Sequence, residues 1–108
     1  MLSWKNPATG LVEHGAVNSC LRPLALMNGS AVTTTEGIGG ERQKCGLHPV
    51  QKRISDLHGT QCGFCTPGFV MSIYSGLKMH SGREEVATAK EMESLIDGNL
   101  CRCIYLVL

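Results

Sequence analysis

The sequence predicts an α+β fold, and two observations support that prediction. In residues 1–44, turn residues separate two stretches with strand character: residues 11–17 partly alternate, and residues 29–40 carry β-branched side chains closed by glycines. From Leu47 onward, apolar residues recur at the spacing of helices. We therefore expect a small sheet followed by helices, in a chain of 108 residues that suits one domain or two very small ones.

The segment between the two strand-like stretches is ambiguous. Leu21, Leu24 and Met27 recur at helical spacing, but Pro23 interrupts the pattern. Neither a helix nor a strand is predicted for residues 18–27.

The first predicted helix follows Leu47. Its apolar stripe consists of Leu47, Val50, Ile54 and Leu57. Pro49 suits the first turn, and Gly59 suits the C′ position that ends a helix. His48 and His58 flank this helix, and we expect them to be cap or surface residues rather than metal ligands.

Two further helices are predicted from their start signals. Thr66 can act as the cap of the second helix and Pro67 as its N1 residue. The apolar face of this helix comprises Phe69, Val70, Ile73 and Leu77. The third helix starts with a capping box of Thr88 and Glu91 and is expected to end at Gly98. Its apolar face comprises Met92, Leu95 and Ile96.

Composition narrows the functional classes. The formal net charge is +1, with acids and bases mixed along the chain, so a nucleic-acid partner is not expected. No apolar run of about 18 residues predicts a membrane span, and the N-terminus lacks the apolar centre of a signal peptide. A cytoplasmic protein is therefore expected. In a reducing compartment, its six cysteines indicate metal or redox chemistry rather than disulfides.

Four of the cysteines form two close pairs. Cys62 and Cys65 are a C-x2-C pair directly before a predicted helix start, and Cys101 and Cys103 are a C-x-C pair after a predicted helix end. A tight turn can point both thiols of a C-x2-C pair at one metal. The positive end of the helix dipole and its free N–H groups favour thiolate over thiol.

The spacing alone leaves four interpretations open. The cysteines could be buried small hydrophobes, a thioredoxin-like redox pair, a structural zinc site with four thiolates, or a [2Fe–2S] site. No βαβ context supports the thioredoxin interpretation, and no C-x-H pairing supports a Rieske centre. Zinc and iron–sulfur both require four thiolates in two pairs, so spacing does not separate them.

Particular motifs resemble a known family. "QCGFCTPG" at residues 61–68 and "GNLCRC" at residues 98–103 resemble the iron–sulfur region of the molybdenum hydroxylases, that is, the xanthine dehydrogenases and aldehyde oxidases. "VNSCLRPL" and "AVTTTEGIGG" resemble the end of the preceding plant-type ferredoxin domain. The resemblance implies that residues 1–44 are an incomplete β-grasp ferredoxin domain. It further implies that residues 45–108 are a mainly α [2Fe–2S]-binding helical bundle that lacks its last helix.

The resemblance also assigns roles to individual residues. It implies that one [2Fe–2S] cluster is held by Cys62, Cys65, Cys101 and Cys103. Gln61 matches a glutamine that faces molybdopterin, and Cys20 matches one ligand of the family's other [2Fe–2S] cluster. Cys45 matches no ligand position and is interpreted as an incidental small apolar residue.

The function that the resemblance implies is electron transfer from a molybdopterin centre toward FAD. The expected partners are the FAD and molybdopterin domains of a homodimeric parent oxidoreductase. The other three ligands of the Cys20 cluster, those two domains and the motif of the last helix are not in this sequence. We therefore expect a truncated chain that does not turn over substrate by itself. A structural zinc module or a non-functional fragment is the alternative.

Overall fold

The computed structural model describes residues 1–81 and 86–101. The strands are β1 (Leu2–Lys5), β2 (Val12–Gly15) and β3 (Ser30–Val32), and the α-helices are α1 (Thr35–Ile38), α2 (Pro49–Asp56), α3 (Thr66–His80) and α4 (Ala89–Ser94). The predicted α+β class is confirmed. None of the helices in these two ranges is long and apolar enough to cross a bilayer.

The three strands form an antiparallel sheet with β1 at its centre, in the order β2-β1-β3. Leu2 pairs with Gly15 on one side and with Val32 on the other. The central strand was not predicted, because four residues at a chain terminus are too short for a period-two pattern to stand out. Its only fully buried side chain is Leu2, which is 1% exposed.

The second strand-like stretch is only partly a strand. β3 covers Ser30–Val32, and the chain then turns into the short helix α1 rather than continuing extended. The side-chain amide of Gln51 (Nε2), in α2, donates hydrogen bonds to the carbonyl oxygens of Thr35 and Gly39, each at 3.1 Å. Contacts distant in sequence therefore override the β propensity of the threonines.

The ambiguous segment folds as two short 3-10 helices. They cover Ser19–Leu21 and Leu24–Met27. Pro23 lies between them in an extended conformation, at the N-cap of the second, so the interruption that it causes is confirmed.

The N-terminal part of the chain and the helices pack around a shared hydrophobic cluster. Its buried centre is Ile54 of α2 with Val70 and Met71 of α3. Packed around that centre are Met1, Ile38, Val50 and Tyr74. Because Met1 precedes the sheet and Ile38 belongs to α1, the first part of the chain is packed directly on the helices.

A histidine lies at each end of α2. His48 is the N-cap, and it forms a capping box with Gln51. At the other end, His58 has the left-handed φ of 55°. The Gly59 amide donates to the Ile54 carbonyl at 2.9 Å, which completes a Schellman motif. The predicted place of Gly59 at C′ is therefore wrong by one residue, since His58 is C′ and Gly59 is C″.

The start of α3 also differs by one residue from the prediction. Cys65 is the N-cap, Thr66 is the first helical residue and Pro67 is the second. The Thr66 hydroxyl does not cap the helix but shares a hydrogen bond of 2.7 Å with the Thr60 hydroxyl. Cys65, a candidate metal ligand, therefore occupies the N-cap position that was predicted for Thr66.

The start of α4 is confirmed and its end is not. Thr88 and Glu91 form the predicted capping box. The helix ends at Ser94 rather than near Gly98, and a turn takes the chain from Leu95 onward. The α4 helix is therefore shorter than its apolar pattern suggested.

Candidate metal centre

The first pair of thiols lies in the turn that leads into α3. Gly63, between the two cysteines, has a φ of +79°, a left-handed conformation that glycine adopts without a steric penalty. The Thr66 amide donates to the Gly63 carbonyl at 3.3 Å and closes the turn. Cys62 is exposed on this turn, whereas Cys65 at the N-cap is half-buried.

Cys101 is brought to this turn by the chain that follows α4. Ile96, which is 4% exposed, packs on the fully buried Phe69 of α3. Cys65 and Cys101 both pack against this pair of side chains. The Asn99 amide donates to the Ile96 carbonyl at 2.8 Å, which turns the chain toward Cys101. Two segments 35 residues apart therefore meet at one apolar support.

The Cys101 thiol lies beside Cys65 and affects its protonation. A hydrogen bond between the two thiols raises the pKa of Cys65 above its ordinary value. Partial burial and repulsion by the neighbouring Cys101 and Cys62 thiolates raise it further. The raised pKa favours the protonated thiol of Cys65 while no cation is bound, and binding of a metal would release that proton because the cation stabilises the thiolate.

The structure brings together part of the predicted ligand set. Cys65 and Cys101 are in contact, and Cys62 lies on the same turn, close enough to act electrostatically on Cys65. Within residues 1–81 and 86–101, no three His, Cys, Asp or Glu side chains converge closely enough to hold a metal ion. Cys103 lies outside the described residues. The four-thiol set therefore stays a prediction, with one contact between its two halves observed.

The other residues singled out from the sequence are all exposed. Gln61 is exposed on the turn before Cys62. Cys20 is exposed in a 3-10 helix and lines a cavity of about 680 Å³, whose other walls include Gly98 and Asn99. Cys45 was interpreted as a small apolar residue, but it is exposed, and its thiol donates to the Gln43 side chain at 3.5 Å.

Two large apolar side chains at the centre were not singled out from the sequence. Phe64 lies between the cysteines of the first pair, and Leu100 directly precedes Cys101. Each is 95% exposed. Single exposed apolar residues are common, but here both are neighbours of candidate ligands in the sequence.

A groove of small residues on α3 receives the segment after α4. Gly68, Ser72 and Gly76 recur every four residues and therefore share one face of α3. A methyl group added at Gly76 would collide with Leu95 Cδ1, and one at Gly68 would come within 2.8 Å of Asn99 Oδ1. The side-chain amide of Asn99 (Nδ2) donates to the Ser72 hydroxyl at 3.0 Å. Sequence reasoning gave no role to this groove or to Asn99.

Comparison with known proteins shows the family of the chain. Residues 34–105 match the model of a [2Fe–2S] binding domain. The chain belongs to that family. It is 50% identical over 103 residues to a xanthine dehydrogenase of Calliphora vicina and 48% identical to aldehyde oxidase 1 of Rattus norvegicus. Each alignment covers 95% of this chain but only 7% of the relative, so the chain spans a small part of the relatives' length.

A solved structure supports the same assignment. The fold is similar to quinoline 2-oxidoreductase from Pseudomonas putida 86, with a TM-score of 0.62 and 30% sequence identity. The match covers 81% of this chain and 49% of that one. The predicted resemblance to the xanthine dehydrogenase and aldehyde oxidase family is therefore confirmed, and the chain is similar to the iron–sulfur region of these enzymes.

The described residues of this [2Fe–2S] binding domain fit an iron–sulfur group in their chemistry. Thiolate sulfur is the ligand that such clusters require, and Cys65 and Cys101 offer it from two segments. Phe69 and Ile96 shield one side of these thiols from water. Cys65 is the N-cap of α3, so the positive end of the helix dipole lies beside its sulfur and favours negative charge there.

Proposed function

We propose that this chain is the electron-transfer module of a xanthine dehydrogenase or aldehyde oxidase type enzyme. Its [2Fe–2S] cluster would be held by Cys62 and Cys65 before α3 and by Cys101 and Cys103 after α4. The chemistry that such a cluster supplies is one-electron transfer, here from a molybdopterin centre toward FAD. The observation that carries the proposal is the packing of Cys65 and Cys101, from two distant segments, against Phe69 and Ile96 in a chain of this family.

The chain's own residues would set the properties of the centre. The half-buried Cys65 and Cys101 place sulfur in a region of lower dielectric, next to Phe69 and Ile96. The positive end of the α3 dipole, at the Cys65 N-cap, would favour the negative charge of the cluster. Burial and hydrogen bonding to sulfur are the means by which a protein tunes the reduction potential of such a group.

The partners and the division of the chain are further parts of the proposal. Gln61, exposed beside Cys62, would face the molybdopterin domain, and Cys20 would belong to the other [2Fe–2S] site of the parent enzyme. Residues 1–44 would be the remnant of a ferredoxin-type domain and residues 45–108 the cluster-binding domain. The parent enzyme would be a cytoplasmic homodimer with its own FAD domain.

Metal and sulfide analysis tests this function. We expect the purified chain to contain iron and acid-labile sulfide in equal amounts, to absorb visible light, and to give a paramagnetic signal on reduction. Cys101→Ser should lose most of the iron and sulfide, whereas the matched variant Cys45→Ser should retain both, because Cys45 is an exposed thiol outside the centre. Zinc in place of iron, with no sulfide and no signal, would show that the chain is a structural zinc module instead.

A further inference from the structure

We propose that Asn99 is the positioning residue of the metal centre: by binding Ser72 in the α3 groove, it holds Cys101 against Cys65. This inference rests on the proposed function, since it explains how the second pair of thiols is delivered to the first. We call the contact between Asn99, Ser72 and Gly68 the latch.

The geometry of the latch is specific. The Asn99 side-chain amide donates to the Ser72 hydroxyl at 3.0 Å, across 27 residues of sequence. Ser72 is buried. The Oδ1 atom of Asn99 lies next to Gly68, where an added methyl group would come within 2.8 Å of it. The absence of a side chain at position 68 is therefore what lets Asn99 approach the helix.

The latch lies directly between the helix and the ligand segment. Asn99 is two residues before Cys101, and Gly68 is three residues after Cys65. The Asn99–Ser72 bond joins the turn between Ser94 and Cys101 to the middle of α3, whereas the Cys101 thiol meets Cys65 at the N-cap of the helix. Breaking it would free Cys101 to move away from Cys65, while the capping box of Thr88 would keep α4 itself folded.

Three single variants separate the latch from general stability. Asn99→Ala removes the donor, and Ser72→Ala removes the acceptor with little change in volume. Ser94→Ala is the matched control, since the Ser94 hydroxyl donates to the Glu91 carbonyl at 2.7 Å within α4 and is exposed. The double variant of Asn99 and Ser72 shows whether the two side chains act through one contact.

Iron release to a chelator from the loaded chain is the first readout. We expect roughly tenfold faster release in Asn99→Ala and in Ser72→Ala, as for the loss of a partly buried hydrogen bond. The double variant should release iron no faster than Asn99→Ala alone. The paramagnetic spectrum of the reduced cluster should shift in Asn99→Ala and coincide with that of the unaltered chain in Ser94→Ala.

Alkylation of cysteine in the metal-free chain is the second readout, and it does not depend on the cluster. Trypsin separates Cys101, in peptide 91–102, from Cys103 in peptide 103–108 and from Cys45 in peptide 45–52. We expect iodoacetamide to react several-fold faster with Cys101 in Asn99→Ala, with the rate at exposed Cys45 unchanged.

The two readouts give distinct outcomes. If Asn99→Ala matches Ser94→Ala in iron release, spectrum and alkylation, or if the two single effects multiply in the double variant, the latch is overturned. If the unaltered chain binds no [2Fe–2S] cluster, the proposed function fails, and alkylation of Cys101 still decides whether Asn99 holds this segment in place.

Discussion

At the scale of single residues, glycines in α3 decide how closely the chain after α4 can approach. A methyl group at Gly76 would collide with Leu95 Cδ1 and lie 3.2 Å from the sulfur of Met92. Few core positions tolerate such overlap without displacing a neighbour. The groove therefore determines how closely the segment that carries Cys101 packs on α3.

Gly76→Ala should lower the free energy of unfolding. Overpacking costs about 1–3 kcal/mol. Alanine gains back about 1 kcal/mol over glycine through helix propensity. We expect a net loss of about 1 kcal/mol in urea denaturation. Gly37→Ala is the control in α1, because its added methyl group would meet only ordinary contacts at 3.6 Å and beyond. Equal stability of the two variants would contradict tight packing at Gly76.

Residue roles were predictable where chemistry restricts the residue type. Cysteine pairs reveal themselves by spacing, and the contact between Cys65 and Cys101 agrees with that expectation. Asn99 could not be found in this way, because an asparagine in a turn has many ordinary roles. Its partner Ser72 is 27 residues away, and single-sequence patterns do not show such pairings.

At the scale of secondary structure, capping side chains determine where the helices begin. The capping boxes of α2 and α4 each satisfy backbone donors with two side chains. The Thr88–Glu91 box was visible in the sequence because it follows a known pattern. His48 was expected to be a cap or surface residue and is the N-cap of α2, but its box with Gln51 was not predicted, since histidine is an uncommon N-cap residue.

The end of α2 offers a test at this scale. A left-handed conformation costs a residue with a Cβ about 1–2 kcal/mol, and glycine adds an entropic cost of about 0.5–1 kcal/mol. His58→Gly should therefore raise the free energy of unfolding by about 0.5–1 kcal/mol. His58→Ala keeps the Cβ and should bring no such gain. Equal midpoints for the two variants in thermal melting would contradict this account of the motif.

At the scale of the whole molecule, the first and second parts of the chain pack as one body around α3. Leu2 of the central strand is fully buried, and Met1 and Ile38 pack against the centre formed by Ile54, Val70 and Met71. The α+β class was predictable from the change in periodicity along the chain. The central strand and helix α1 were not, because contacts between distant segments determine them.

The shared core also explains how so short a chain positions thiols from distant segments. Cys65 is the N-cap of α3, and the segment that leads to Cys101 packs in the groove of the same helix. α2 and Met1 also pack against α3. Both thiol-bearing segments are therefore positioned by one helix. Metal binding would add a further tie between them, as in other small domains stapled by a metal.

Iron K-edge X-ray absorption of the purified, cluster-loaded chain reports the atoms that surround the iron. We expect a first shell made of sulfur alone and a second iron atom at short range, and in Cys103→Ser we expect one of the two iron atoms to lose or exchange one sulfur ligand. Iron with nitrogen or oxygen ligands, a single iron without an iron neighbour, or a spectrum unaltered in Cys103→Ser would contradict the proposed cluster.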